Sequence, residues 1–189
     1  GLNIGDVTGS DAIETLSLSA GADSAVTMGV MIEGDALSAL SYSASGLRSA
    51  IVVGAVGGTT NGIIETVSMT ASGGGSIDFG AITSSSDMTS VTLTADGTNS
   101  AIYMEGDIDA EANDVTSVIV SATAGGTVDM DGKGVTNGAP TFELGGSEAV
   151  TLQTTGSGSA ISAIGFVDEA GAAKNVTISA AGAGASINL

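Results

Sequence analysis

The chain has 189 residues with 3 basic against 21 acidic side chains, a formal net charge of −18, no His, Cys or Trp and a single Pro. Without His or Cys there is no Ser-His-Asp or Cys-His machinery, no thiolate nucleophile and no ordinary zinc, haem or iron–sulfur ligand set, so any catalysis would rest on carboxylates alone. Arg48, Lys133 and Lys174 are too few to neutralise a phosphate backbone, and an acidic chain lacking a run of about 18 apolar residues neither spans a bilayer nor binds anionic headgroups, which excludes nucleic acid and membrane insertion.

Disorder is the usual state of an acidic chain rich in Gly, Ser and Thr, but 42% hydrophobic residues and a mean hydropathy of +0.41 contradict it. Aromatic residues make up only 3%, so Val, Ile, Leu, Met and Ala must fill the interior, which points to a thin, repetitive core. The absence of Cys suits a cytosolic protein and a disulfide-free bacterial surface protein equally. Neither a starting Met nor a signal peptide is visible, so the sequence reads as a mature or excised piece.

In chain order, Gly1-Leu2-Asn3-Ile4-Gly5-Asp6-Val7 aligns with Ser76-Ile77-Asp78-Phe79-Gly80-Ala81-Ile82, so the chain is expected to open inside a repeat. The repeat itself first shows at Thr15-Leu16-Ser17-Leu18-Ser19-Ala20, and Thr66-Val67-Ser68-Met69-Thr70-Ala71 and Ser90-Val91-Thr92-Leu93-Thr94-Ala95 are plain copies of it. Seven copies are anchored at Leu16, Leu40, Val67, Val91, Val118, Val150 and Val176, with spacings of 24, 27, 24, 27, 32 and 26. Each alternates apolar and small polar residues at period two, the mark of a strand with one buried face.

A second alternating strand follows each copy, at Val26-Thr27-Met28, Ile51-Val52-Val53, Ile77-Asp78-Phe79, Ile102-Tyr103-Met104, Val128-Asp129-Met130, Ile161-Ser162-Ala163 and Ile187-Asn188-Leu189. Corner glycines are expected after it, supplying positive φ. A short third apolar element is expected at Ile32, Val56, Ile82, Ile108, Val135 and Val167, then a variable loop, longest around 134–147 with Pro140. Apolar residues three before the anchors (Ile13, Leu37, Ile64, Met88, Val115) fit an inward corner.

One such unit cannot bury its apolar face alone, whereas stacked copies bury it against each other. The expected fold is all-β: one parallel β-solenoid domain over 1–189, about seven coils of roughly 24–27 residues rising about 34 Å in total. The alternative is an antiparallel β-sandwich, which does not require one motif to recur in phase. Leu2 and Ile4 occupy the same phase as Ile187 and Leu189, so both ends are expected to expose apolar side chains and unpaired strand edges. That makes the domain a segment of a longer solenoid or a subunit that stacks end to end.

Two groups of residues could carry function. The outward positions of the first strand form a hydroxyl ladder, Ser17, Ser19, Ser41, Ser43, Ser68, Thr70, Thr92, Thr94, Thr177 and Ser179, interrupted by Ile119 and Gln153. It either solvates a sheet face or, like the threonine ranks of ice-binding solenoids, binds ice or glycan. Acidic residues cluster at Glu105, Asp107 and Asp109, expected on one side of a strand, and at Asp129 and Asp131 on the next coil. Carboxylates about 5 Å apart form either a solvated acidic face or a Ca²⁺ site, although the regular Gly-Gly-x-Gly-x-Asp of calcium β-rolls is absent. An enzyme is not expected. A carboxylate-only lyase or glycosidase needs basic or aromatic sugar-binding residues, which are nearly lacking here.

Repeats of the type Val-Thr-Leu-Thr-Ala-x-Gly-x-x-Ser-x-Ile in an acidic, Cys-free chain resemble the β-solenoid regions of bacterial S-layer proteins of the Caulobacter type and of very large secreted adhesins. The resemblance covers the whole chain in repeat style and composition. It implies an extracellular, cell-surface structural role, secretion without a cleaved N-terminal signal, calcium-assisted self-assembly into lattice or filament, and contact with surface polysaccharide through regions outside this sequence.

Overall fold

In a computed structural model the described residues are 1–8, 13–33, 36–58, 64–84, 87–106, 108–110, 115–130, 142–143, 149–162, 166–167 and 175–189. They form 22 strands and no helix, numbered β1 to β22 in chain order and dealt in turn to three parallel sheets. The first sheet stacks β1 (Leu2–Ile4), β4 (Ala25–Met28), β7 (Ala50–Val53), β10 (Ser76–Phe79), β13 (Ala101–Met104), β16 (Thr127–Asp129), β19 (Ala160–Ser162) and β22 (Ser186–Asn188). The second stacks β2 (Val7–Thr8), β5 (Met31–Glu33), β8 (Val56–Gly58), β11 (Ile82–Ser84), β14 (Ile108–Ala110), β17 (Phe142–Glu143) and β20 (Phe166–Val167). The third stacks β3 (Thr15–Ala20), β6 (Ala39–Ser45), β9 (Thr66–Ser72), β12 (Met88–Asp96), β15 (Val115–Thr123), β18 (Ala149–Thr155) and β21 (Asn175–Ala181). This is a parallel β-solenoid, in which each strand pairs with its equivalent one coil away.

The register follows the repeat. Leu16, Leu40, Val67, Val91, Val118, Val150 and Val176 are Cα partners in unbroken succession. Leu2, Val26, Ile51, Ile77, Ile102, Val128, Ile161 and Ile187 form a second such file. Both files line the lumen, and the interior members of the first, from Leu40 to Val150, are at most 1% exposed. A one-residue slip would turn every side chain of a strand to the opposite face, so the long alternating strands specify their pairing strongly. Leu37, Ile64, Met88 and Val115 are buried at the corner preceding the third sheet, and Ile13 packs against the core there.

The third apolar element keeps its expected phase at Val56, Ile82 and Ile108, which pair in file and are buried, but is shifted by one residue in two coils. Met31, not Ile32, pairs with Val56, and Ile32 is 41% exposed opposite Gly57. Phe166, not Val167, continues the file Val56, Ile82, Ile108, Phe142, while Val135 lies outside the described residues. Strands of two or three residues with adjacent apolar side chains carry too little alternation to set the phase.

The corner glycines also divide into two kinds. Positive φ is found between the third and first sheets, as at Gly46 (92°) and Gly97 (97°), and not at Gly54, Gly80 or Gly106 after the first-sheet strands. Those three glycines instead admit close stacking: a Cβ on Gly106 would come within 2.5 Å of the Ala81 nitrogen.

At the positive-φ corner the turns have two lengths, which alternate from 21–24 to 155–159 before the last coil repeats the long form at 181–185. The segments 45–49, 96–100 and 155–159 are one residue longer than 72–75 and 123–126. The long turns 45–49, 96–100 and 155–159 end in a buried serine, Ser49, Ser100 or Ser159, and 181–185 ends in Ala185. The Ser100 hydroxyl donates to the Asp96 carbonyl (2.7 Å) and accepts from the Gly74 N–H of the coil before (3.0 Å); Ser159 does the same with the Thr155 carbonyl and the Gly125 N–H. Glycine fills the equivalent place in the short turns 72–75 and 123–126, while the first coil, with no coil before it here, has Ser24; a Cβ on Gly75 would lie 2.6 Å from the Ser49 hydroxyl and 2.4 Å from the Ala44 carbonyl oxygen.

Candidate functional site: the hydroxyl face and the rod ends

The third sheet turns its polar positions outward in two straight files. One runs Ser17, Ser41, Ser68, Thr92, Ile119, Thr151, Thr177, and the other Ser19, Ser43, Thr70, Thr94, Ser121, Gln153, Ser179. Members of a file are about 4.8 Å apart and the two files roughly 7 Å apart, as parallel pairing and two-residue spacing require. Hydroxyl groups at this spacing offer alternating donors and acceptors to water or to sugar hydroxyls. Ile119 and Gln153 interrupt the array on neighbouring coils, and Ile119 stands out as an exposed apolar side chain. At the face's margin the Thr123 hydroxyl donates to the Asp96 carboxylate.

The acidic candidates do not come together as expected. Glu105 lies after the end of β13 in the first sheet, whereas Asp109 belongs to β14 in the second, because the chain turns a corner between Met104 and Ile108. They are therefore not alternate positions of one strand. Asp107 and Asp131 fall outside the described residues. Asp129 stacks on Tyr103, which stacks on Asp78, so those two carboxylates are two coils apart. Among the described residues no three metal-ligating side chains converge. The ion pair between Arg48 and Asp23 joins two adjacent turns, with Nε donating to Oδ1 at 2.6 Å, but both side chains are well exposed and solvent screens the pair.

The two end coils differ from the rest. Val176 and Ile178 belong to files whose neighbours Val150 and Leu152 are buried, yet they are 54% and 48% exposed. Leu189 beyond β22 is 60% exposed, and Leu2 on β1 at the opposite edge is 57% exposed, while Ile4 and Ile187 are half-buried. A shallow apolar groove of about 220 Å³ also opens on the second sheet where Gly57 leaves no side chain between Ile32 and Thr83.

The buried serines were not foreseen as structural residues. Their signal is present in the sequence as a Ser before Ala-Ile in three longer copies (Ser49, Ser100, Ser159) and a Gly at the same place in two shorter ones (Gly75, Gly126). Within the lumen, the Tyr42 and Thr154 hydroxyls have no hydrogen-bond partner, and burial pushes the Tyr42 phenol well above its ordinary pKa.

Fold and surface together define a repeat protein of the parallel β-solenoid class. Comparison with protein-family models, with curated proteins and with solved structures finds no match.

Proposed function

We propose that the chain is a structural rod segment of a bacterial cell surface, as in an S-layer, an extracellular filament or an adhesin stalk, and that it acts by self-association. The observation that carries this reading is the unbroken, in-register stacking of coil on coil, each strand paired with its equivalent in the next, which builds a rod from one repeated unit with a regular outer face. The net charge of −18 opposes approach of two rods at low ionic strength, and divalent cations such as Ca²⁺ or added salt relieve it.

Light scattering and electron microscopy of the purified chain, with millimolar Ca²⁺ and with chelator, test the reading. Lattices or fibres favoured by the cation are expected, and a compact monomer under every condition would refute it. A second reading, a glycan- or ice-binding face, is favoured by the two hydroxyl files. It predicts binding by the monomeric chain that Thr70→Lys and Thr94→Lys abolish without affecting association.

A further inference from the structure

The acids are shared unevenly among the three sheets. The first carries Asp78 and Asp129 in its outward file, and the second carries Asp109 in register with Thr83 and Glu143 in register with Val167. The fourteen outward positions of the third sheet hold none of the chain's 21 acidic residues: Ser and Thr fill twelve of them, and Ile119 and Gln153 the other two. Acids return only at the margins of this face, where Glu14, Glu65 and Asp87 stand exposed just before its strands and Asp96 at the end of β12.

On a chain of net charge −18, an uncharged panel is the one sheet face along which two copies approach without setting carboxylate against carboxylate. Charged residues are depleted from the centres of protein interfaces in the same way and kept at their rims. Each hydroxyl both donates and accepts, so a field of Ser and Thr is complementary to a second copy of itself, and hydrogen bonds given up to water are remade across the contact. Threonine methyls and the exposed Ile119 add apolar contact. A basic partner would gain nothing here, because the acids it needs lie at the margins and on the other two sheets.

The area suffices. The strands of the third sheet are at least six residues long, about 20 Å, and seven of them rise about 34 Å, so face-to-face contact covers roughly 700 Å² on each copy and roughly 1,400 Å² in all, within the range of about 1,200–2,000 Å² that stable interfaces bury.

We infer that this chain associates side to side through its third sheet, the hydroxyl face of one copy laid against the same face of a second, with Glu14, Glu65 and Asp96 at the rim. This rests on the self-association reading above and specifies the surface it uses. The contact is isologous and pairs the rods two by two, leaving the first and second sheets for any wider lattice or filament. Divalent cations and salt act at the rim, where the marginal acids of the two copies meet.

Two matched lysine pairs test the surface. Thr70 and Thr94 are partners in one file of the third sheet, and Thr27 and Val52 are outward partners in the first. Either pair of lysines adds two positive charges to the −18 of the parent, so electrostatics alone would promote association of both variants. Light scattering in millimolar Ca²⁺ is expected to show Thr70→Lys/Thr94→Lys as a monomer and Thr27→Lys/Val52→Lys associating like the parent, with thermal melts confirming that both are folded. The chain has no cysteine, so single thiols in Thr92→Cys and Val52→Cys supply a second readout in otherwise native rods. Adding Ca²⁺ should slow reaction with a soluble aromatic disulfide about tenfold or more at position 92 and change it little at position 52. Should the third-sheet lysines unfold the chain, the thiol comparison decides alone. Association of the folded Thr70→Lys/Thr94→Lys chain at the parent's level, or a thiol at 92 no better protected than the one at 52 in an assembled sample, overturns the inference and leaves self-association standing. A parent chain that stays monomeric under every condition overturns both.

Discussion

Thr154 is the least comfortable residue in the lumen, and replacing it should raise stability. It occupies a file otherwise filled by alanine, with Ala122 and Ala180 as its partners in the adjacent coils, is fully buried, and its hydroxyl finds no acceptor or donor. An unsatisfied buried hydroxyl costs about 1–3 kcal/mol. Thr154→Val keeps the branched shape and exchanges the hydroxyl for a methyl, so a gain of about 1–2 kcal/mol is expected. Thr154→Ala removes the hydroxyl and also a packed methyl worth about 0.8 kcal/mol, so its gain should be smaller. Urea titrations followed by circular dichroism measure both, compared as midpoints because a stack of coils need not unfold in one step. For a chain of this length each kcal/mol corresponds to roughly 2–4 °C in Tm. A Val variant with a midpoint below the parent would refute the reasoning, since it would mean the hydroxyl is satisfied or the methyl does not fit.

Tyr42→Phe should likewise stabilise at neutral pH by about 1 kcal/mol. It should also remove an alkaline weakness: with the buried phenol's pKa raised in the folded chain, the parent keeps this contribution below the unfolded value of about 10 and loses it as pH rises above that, so melts between neutral and strongly alkaline pH should fall less steeply in the variant. Val91→Asp, which places a carboxylate between Val67 and Val118, should cost several kcal/mol while the outward neighbour Thr92→Asp changes little; equal losses in denaturant midpoint would mean the faces are misassigned. Ala124 has a φ of 51° without being glycine, so Ala124→Gly should raise the thermal midpoint by an amount equivalent to up to about 1 kcal/mol, and a lower midpoint would count against strain at that turn.

The parallel solenoid was legible because its strands are long enough to repeat a phase. Anchors such as Val67, Val91 and Val118 sit in six- to nine-residue strands whose alternation leaves one register, and the structure pairs them accordingly. The second sheet was less legible: at Met31-Ile32 and Phe166-Val167 two apolar residues stand side by side in a strand of two or three, and only pairing with the adjacent coil sets the register. The outward hydroxyl ladder was readable for the same reason as the anchors, being their complement. The grouping of Glu105 with Asp109 was not, because alternation along the chain does not reveal the corner that sends them to different sheets. Serines at 49, 100 and 159 looked like ordinary turn residues, since burial at a corner depends on the coil stacked beneath.

The alternation of serine and glycine at that corner also limits how such a gene can change length. A short turn settles onto the long turn of the coil before it, where Gly75 meets Ser49 and Gly126 meets the Ala95 carbonyl at distances no side chain could occupy. Long lies on long once, where the Gly- and Ala-only turn 181–185 stacks on 155–159 with Ala185 in the place of the serine; losing or duplicating a single inner coil would instead set two serine turns, or two short turns, against each other and forfeit the bridge from serine to the Gly N–H of the coil before. Two coils at a time restore the original neighbours on both sides. Leu16 to Val67, Leu40 to Val91 and Val67 to Val118 are each separated by 51 positions, whereas Val91 to Val150 and Val118 to Val176 span 59 and 58, so over the first five coils the regular unit is a pair, and tandem duplication or slippage there is expected to leave viable proteins that differ in length by 51 residues.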